Sequence, residues 1–266
     1  MTEVRTRVLV SAILIPLALY AFYHGGIPLI ILFGIVASLG SIEYVAMLRK
    51  AGFSIPYYWS AISLALFVAM VFSHRYDIPL LWLLVFITFV EALLRWNPEK
   101  SVPRIFATLF GLLYTSIFPA MITRVGLSNP DKNILLALIL MIWIVDTSAY
   151  FIGMKFGKKR NITAVSPRKS LAGFVAGGLA PWFIVVILWI SKVNIMPMKH
   201  VVLVAIAAGF IGQIGDLAES MLKRFCGVKD SSNLIPGHGG ILDRADSILL
   251  AGSFLYCALI FLQKVR

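Results

Sequence analysis

Long apolar stretches separated by short polar segments run through almost the whole chain of 266 residues. Nine of these stretches are each close to the roughly 17–25 residues that cross a bilayer as an α-helix. They cover residues 8–23, 27–47, 57–73, 78–95, 105–123, 134–154, 171–191, 201–222 and 247–263. The pattern predicts an all-α, polytopic integral membrane protein with about nine transmembrane helices, folded as a single membrane domain over residues 1–266.

The composition agrees with a chain that lies largely in lipid. Hydrophobic residues make up 60% of the sequence and charged residues 14%, whereas a soluble domain carries about a quarter charged residues. The two cysteines, Cys226 and Cys257, lack the spacing of a metal site, so we expect two free thiols.

The basic residues predict an orientation. With nine spans, 17 of the 24 Lys and Arg residues lie on the side of the N-terminus and 7 lie on the other. The positive-inside rule then places the N-terminus in the cytoplasm and the C-terminus outside, as in a protein of the bacterial inner (cytoplasmic) membrane. Because topology accounts for much of the basic surplus, no nucleic-acid partner is expected.

Two polar loops fall on the predicted cytoplasmic side. They are "KFGKKRNITAVSPRKS" at residues 155–170 and "KDSSNLIPGHGGILDRAD" at residues 229–246. A site built from them would face the cytoplasm. We therefore expect residues 131–266 to supply the catalytic helices and loops, and residues 1–130 to be a scaffold with a possible dimer contact.

Several acidic residues lie inside the apolar stretches: Glu43, Glu91, Asp146, Asp216 and Glu219. An ionised side chain at bilayer depth costs roughly 2.5–3.5 kcal/mol on insertion scales, so each should have a partner. We expect Glu43 to pair with Arg49 at the membrane interface. We expect Glu91 to pair with Arg95 in the same way, and Glu219 to pair with Lys223 one helical turn away.

Asp146 and Asp216 have less obvious partners. Asp146 is followed directly by the Lys-rich loop, and it could serve either a buried helix–helix hydrogen bond or a functional site. Asp216, Ser220 and Lys223 are spaced i, i+4, i+7 and share one helix face. Asp216 has no local partner on that face.

The second loop combines carboxylates with a glycine-rich turn. Asp243 and Asp246 lie at i, i+3 on the predicted first helical turn, where one carboxylate would suffice for capping. With Asp216 they offer three oxygen ligands, which suit one or two Mg²⁺ ions that also take substrate phosphate oxygens. The sequence has no set of Cys and His residues with the spacing of a zinc site, so zinc is not expected.

The turn "PGHGG" would let backbone N–H groups approach an anion closely. Four cations add positive charge around it: Lys223, Arg224, Lys229 and Arg244. His238 could donate to a phosphate, act as a general acid, or serve only the turn. The combination favours metal-assisted phosphoryl chemistry with a lipid as one substrate.

The segment "SMLKRFCGVKDSSNLIPGHGGILDRAD" (Ser220–Asp246) resembles the signature of the phosphatidate cytidylyltransferase (CDP-diacylglycerol synthase) family, bacterial type. Every fixed position of that pattern is met, by Ser220, Lys223, Arg224, Lys229, Asp230, His238, Gly239, Gly240, Asp243, Arg244 and Asp246. The segments "DTSAYFIGMKFGKK" and "SPRKSLAGFVAGG" resemble the family's second conserved region.

The resemblance implies transfer of CMP from CTP to phosphatidic acid, giving CDP-diacylglycerol and pyrophosphate, with Mg²⁺ dependence and a homodimer. It implies metal ligands at Asp216, Asp243 and Asp246. Catalytic roles, chiefly neutralising the phosphates, would fall on Lys223, Arg224, Lys229, Asp230, His238 and Arg244. Substrate contacts would come from Asp146, Ser166, Lys169, Ser220, Gly239 and Gly240.

Two other functions fit parts of the pattern. A CTP-dependent polyprenol or lipid kinase would transfer the γ-phosphate instead of the nucleotidyl group. A transporter of an anionic substrate would also combine intramembrane acids with basic loops. The clustering of these groups at one membrane face argues against a transporter, whose binding site usually lies near the midplane.

Overall fold

The computed structural model of the protein describes residues 3–128, 133–157, 163, 165–167 and 169–264. Within these residues the fold consists of helices and their connections, without a β-strand. The described ranges form nine helices: α1 (Glu3–His24), α2 (Gly26–Lys50), α3 (Tyr58–Phe72), α4 (Asp77–Leu94), α5 (Ser101–Ser128), α6 (Ile134–Phe156), α7 (Leu171–Ser191), α8 (Met198–Phe225) and α9 (Leu242–Lys264).

Every predicted span falls on one of these helices, which confirms a polytopic helical membrane protein. Within the described residues, eight helices are long and apolar enough to cross a membrane. The third predicted span is the exception, because α3 has 15 residues. At about 1.5 Å per residue it is shorter than the roughly 30 Å hydrocarbon core of a bilayer.

Two helices contain a wider, π-helical turn. It covers Leu113–Ile117 in α5 and Ala207–Gly212 in α8. Such turns are frequent at functional sites, and the one in α8 is followed directly by the segment that carries Asp216. Gly215 on that segment packs against the backbone of α9, where a Cβ atom would come within 2.6 Å of the Asp246 carbonyl oxygen. This close approach brings Asp216 and Asp246 near each other.

Helix α9 runs through the interior of the bundle. Leu242, Leu249 and Leu255 along it are completely buried, and it packs against α5 and α8. Helix α4 lies at the outside, where Ile78 and Leu94 are 80% and 82% exposed, as expected of lipid-facing side chains. This packing fixes the position of the first turn of α9, and with it the end of the polar loop that precedes the helix.

A buried ion pair ties several helices together away from that first turn. Arg124 is 2% exposed, and its guanidinium lies 2.6 Å from the Asp77 carboxylate. It also donates to the Met70 carbonyl and, at 3.2 Å, to the Tyr256 hydroxyl, about four turns along α9. The apolar pattern ended the fifth span before Arg124, but α5 continues to Ser128 because the charge is paired inside the protein.

Candidate active site

The loop between α8 and α9 folds into the sharp turn that the sequence predicts. Ile235 N–H donates to the Gly239 carbonyl at 2.8 Å, and His238 N–H donates to the Ile235 carbonyl at 2.9 Å. Gly237 and Gly239 have φ angles of 75° and 87°, a left-handed conformation that favours glycine. The turn therefore needs glycine at both positions.

Asp243, on the first turn of α9, is the centre of the loop's hydrogen bonding. Its Oδ1 accepts from Lys223 Nζ at 2.5 Å. Its Oδ2 accepts from the Ser231 N–H and hydroxyl at 2.8 and 2.9 Å, and from the Gly240 N–H at 2.8 Å. Three of these contacts meet at Oδ2, whereas Oδ1 accepts from Lys223 alone. The Gly240 amide, predicted to contact phosphate, is here bonded to Asp243.

Lys223 lies between two buried carboxylates. Besides Asp243, its Nζ lies 3.1 Å from Glu219 Oε1, which confirms the predicted Glu219–Lys223 ion pair. The Glu219 side chain has no exposed surface, and the Tyr114 hydroxyl lies 3.5 Å from its second oxygen. The predicted helix face therefore exists, with half-buried Ser220 beside it, but its lysine is enclosed within the protein instead of lying on a solvated surface.

A second group of acids gathers beside this one. Asp216 of α8 forms an ion pair with Lys169 from the loop before α7, so its partner comes from the other polar loop. Asp216 also repels Asp146 of α6 and Asp246 of α9 electrostatically. Asp246 accepts a hydrogen bond of 2.6 Å from the Ser247 N–H. The two polar loops therefore lie on the same side of the bundle.

These carboxylates can be tested as magnesium ligands. Among the described residues, no group of three or more His, Cys, Asp or Glu side chains is arranged to hold a metal ion. Mg²⁺, however, is usually bound by one or two carboxylates together with substrate phosphates and water. Asp216 and Asp246 fit that requirement, because their mutual repulsion favours a cation between them. Asp243 is paired with Lys223 in this arrangement, as Asp216 is with a lysine of its own, and it stays a predicted ligand.

A polar cavity of about 580 Å³ opens beside the glycine turn. Its charged lining comes from the predicted residues Lys229, Asp230, His238 and Arg244. Arg7 of α1 also lines it and packs against Gly237. His238 Nε2 lies 2.9 Å from the Ser11 hydroxyl, also on α1. Sequence reasoning missed Arg7 and Ser11, because both lie more than 200 residues before the turn.

Glu43 was also placed wrongly from the sequence. The expected pair with Arg49 is not formed: Arg49 instead donates to the Ile55 carbonyl at 3.1 Å. Glu43 is 4% exposed and accepts four hydrogen bonds from the polar loop and the start of α9. The expected pair of Glu91 and Arg95 is present at 3.4 Å.

Some predicted residues lie apart from the cavity. Arg224 is exposed and donates to the Val228 carbonyl at 3.0 Å, where it closes the turn after α8. The Ser166 carbonyl accepts from the Lys169 N–H at 3.2 Å within a turn. Residues 158–162, 164 and 168 of the same loop lie outside the described residues. Both cysteines are free, as predicted, and burial raises the pKa of the Cys226 thiol.

The helical bundle and its site define a polytopic membrane enzyme with a polar cavity at one end of the bundle. The model of the cytidylyltransferase family matches residues 5–262 of the chain. The chain therefore belongs to the cytidylyltransferase family and is a nucleotidyltransferase.

Curated relatives share most of their length with this chain. It is 34% identical to the phosphatidate cytidylyltransferase of Pseudomonas aeruginosa, covering 93% of each chain. It is 30% identical to that of Thermotoga maritima, covering 100% of this chain and 99% of the relative. It is 28% identical to that of Bacillus subtilis, covering 96% and 97%.

Proposed function

We propose that the protein transfers the cytidylyl group of CTP to phosphatidic acid, forming CDP-diacylglycerol and releasing pyrophosphate. The observation that carries this proposal is the cavity beside the glycine turn, where Arg7, Lys229 and Arg244 surround a space of about 580 Å³. Three cations around one open cavity suit a triphosphate. The printed names of the full-length relatives favour this reaction over a CTP-dependent lipid kinase or an anion transporter.

The cations of the cavity bind and orient the nucleotide. Lys229 and Arg244 come from the two ends of the polar loop, and Arg7 reaches the cavity from α1. Together they neutralise the triphosphate and stabilise the negative charge that builds up on the departing pyrophosphate. His238 lies at the same wall. Its Nε2 contacts the Ser11 hydroxyl and its Nδ1 faces the Pro236 carbonyl, so it donates to a phosphate oxygen by exchanging one of these partners.

Acids on the same side of the bundle hold the divalent cation in this proposal. We assign Mg²⁺ to Asp216 and Asp246, which leaves ligand positions for phosphate oxygens and water. When bound, the ion would withdraw charge from the α-phosphate of CTP. Asp243 orients the loop through its four hydrogen bonds, and Lys223 compensates the charge of Asp243 and Glu219.

The chemistry is an in-line displacement at phosphorus. A phosphate oxygen of phosphatidic acid forms a bond to the α-phosphorus, and the bond from that phosphorus to the oxygen bridging to the β-phosphate breaks. Pyrophosphate leaves with the electron pair. Because the lipid phosphate is already ionised, the chain needs to supply orientation and positive charge but no strong base.

The proposal includes the setting of the enzyme. Counted over nine spans, with the short helix α3 as one of them, the excess of basic residues on the N-terminal side supports a site that faces the cytoplasm from the inner membrane. We also propose that the enzyme is a homodimer, as the family resemblance implies. The division into an N-terminal scaffold and a C-terminal catalytic half needs one amendment, since Arg7 and Ser11 of the first half reach the cavity and turn.

A pyrophosphate-release assay tests the reaction. Purified protein in detergent receives CTP and Mg²⁺ with one of three lipid acceptors: phosphatidic acid, diacylglycerol or a polyprenol. We expect pyrophosphate release only when phosphatidic acid is the acceptor. We expect Arg244→Gln to abolish that release. Release of CDP with either alcohol acceptor would instead identify a kinase and overturn the proposal.

A further inference from the structure

Glu43 connects the N-terminal helices to the polar loop and the start of α9 through four hydrogen bonds. It lies on α2, and its Oε1 accepts from the Ser232 hydroxyl at 2.6 Å and the Ile241 N–H at 2.9 Å. Its Oε2 accepts from the Ser231 hydroxyl at 2.9 Å and the Leu242 N–H at 3.0 Å. These partners follow Glu43 in the chain by 188 to 199 residues.

The donors around this carboxylate are neutral. Within the described part of the chain, no Lys, Arg or His forms an ion pair with Glu43, although its exposure is only 4%. A buried charge is tolerated only where hydrogen bonds replace the lost water. The Ile241 and Leu242 N–H groups at the start of α9 have no acceptor within the helix, and the helix dipole there also favours an anion. Glu43 therefore caps α9 from a different helix.

One serine joins this cap to the candidate site. The Ser231 hydroxyl lies 2.9 Å from Glu43 Oε2 and 2.9 Å from Asp243 Oδ2, so the two carboxylates share its single proton. Asp243 is bonded in turn to Lys223 of α8. Gly240 fits into the same space, since a Cβ atom there would lie 2.6 Å from both Glu43 oxygens. A displacement of Glu43 would therefore shift the loop base and Asp243 together.

We propose that Glu43 is a positioning residue for cytidylyl transfer. It fixes the base of the polar loop and the first turn of α9, from which Arg244 reaches the cavity. Glu43 does not line the cavity itself, so it acts through Ser231 and the start of α9. This inference rests on the proposed function, and it assigns a role in the reaction to a helix that carries no residue of the signature.

The substitution Glu43→Gln tests the role without changing the side chain's shape. The amide nitrogen would face two donors. A serine hydroxyl can rotate and accept from that nitrogen, but the Ile241 or Leu242 N–H would lose its acceptor. Glu91→Gln is the matched control, because Glu91 is also a membrane glutamate with a nearby arginine but has no contact with the loop.

The measurements are kcat and KM for CTP, together with thermal unfolding in detergent. We expect kcat of Glu43→Gln to fall roughly 10- to 100-fold, because the reacting groups are misplaced, with a smaller rise in KM for CTP because Arg244 is retained. Its melting temperature should stay near that of Glu91→Gln. Turnover within about twofold of the control would overturn the proposal.

A second variant separates positioning from folding. Ser232→Ala removes one donor to Glu43 and leaves the carboxylates of Glu43 and Asp243 in place. We expect a smaller fall in kcat, and a combined effect with Glu43→Gln that is less than additive because both act through one contact. If Glu43→Gln loses only folded protein while Ser232→Ala retains full turnover, Glu43 is merely structural and the inference fails.

Hydrogen exchange of the loop separates this inference from the proposed function. If the unsubstituted protein makes no CDP-lipid, the proposed function fails, and exchange at residues 229–241 then decides the role of Glu43. Faster exchange in Glu43→Gln, with no change in Glu91→Gln, supports the positioning role. Equal exchange in the two variants overturns it.

Discussion

Lys223 Nζ lies 2.5 Å from Asp243 Oδ1 and joins α8 to the first turn of α9. The same ammonium group lies 3.1 Å from Glu219, and the two carboxylate side chains are 5% and 0% exposed. One cation thus compensates two buried anions. The lysine of the signature is therefore a structural element of the site as well as a candidate for phosphate binding.

Removing that cation should be costly. Lys223→Met leaves two buried carboxylates without a counter-charge, so we expect a loss of about 3–5 kcal/mol in the free energy of unfolding. Unfolding in mixed detergent micelles measures it. Arg224→Met is the control, since that exposed side chain bonds the Val228 carbonyl and pairs with no carboxylate among the described residues. It should change stability by about 0.5 kcal/mol or less. Equal stability of the two variants would refute the shared-cation role.

The proposed magnesium ligands, Asp216 and Asp246, should respond to substitution differently from Asp243. Asp216→Asn and Asp246→Asn should each raise the Mg²⁺ concentration that gives half-maximal activity by at least about 10-fold. Loss of a residue that merely hydrogen-bonds a metal ligand already costs about 10-fold or more. Asp243→Asn should lower kcat without that change, because Asp243 bonds Lys223 and the loop donors while we assign the ion to the other two aspartates. Titration of activity against Mg²⁺ distinguishes the two patterns. A large shift in Asp243→Asn would make Asp243 a ligand.

Arg7 provides a test of the cavity. Arg7→Gln should raise KM for CTP about fivefold, since a partly exposed charge contact contributes about 1 kcal/mol. The effect should shrink at high salt, because ions screen an exposed charge. Arg5→Gln is the matched control, one turn or less away on α1 and outside the cavity lining. If the two variants have the same KM, α1 does not take part in CTP binding.

The Arg124–Asp77 pair should serve stability alone. Asp77→Ala leaves a guanidinium that is 2% exposed without its carboxylate, so we expect a loss of about 3–5 kcal/mol in unfolding free energy. Protein that remains folded should keep its kcat, because the pair lies about four turns of α9 from the site. Arg75→Ala, an exposed neighbour, should change neither quantity. A reduced kcat in folded Asp77→Ala would contradict this separation.

The sequence predicted the helices well, because apolar runs of membrane length are a local signal. It also located the polar loop and the pair Glu219–Lys223, which are close in sequence. It could not find the partners of Glu43, since contacts over 188 to 199 residues leave no trace in local spacing. For the same reason, local spacing did not place Arg7 at the cavity. Nor did it extend the fifth span to Arg124, whose carboxylate partner Asp77 lies on another helix.

The most direct test of the account follows the two ends of the nucleotide. Purified protein receives phosphatidic acid, Mg²⁺ and CTP labelled separately at the α- and γ-phosphates. For cytidylyl transfer we predict α-label in the lipid fraction and γ-label in released pyrophosphate. Label from the γ-phosphate in the lipid would contradict cytidylyl transfer and would make the protein a CTP-dependent lipid kinase.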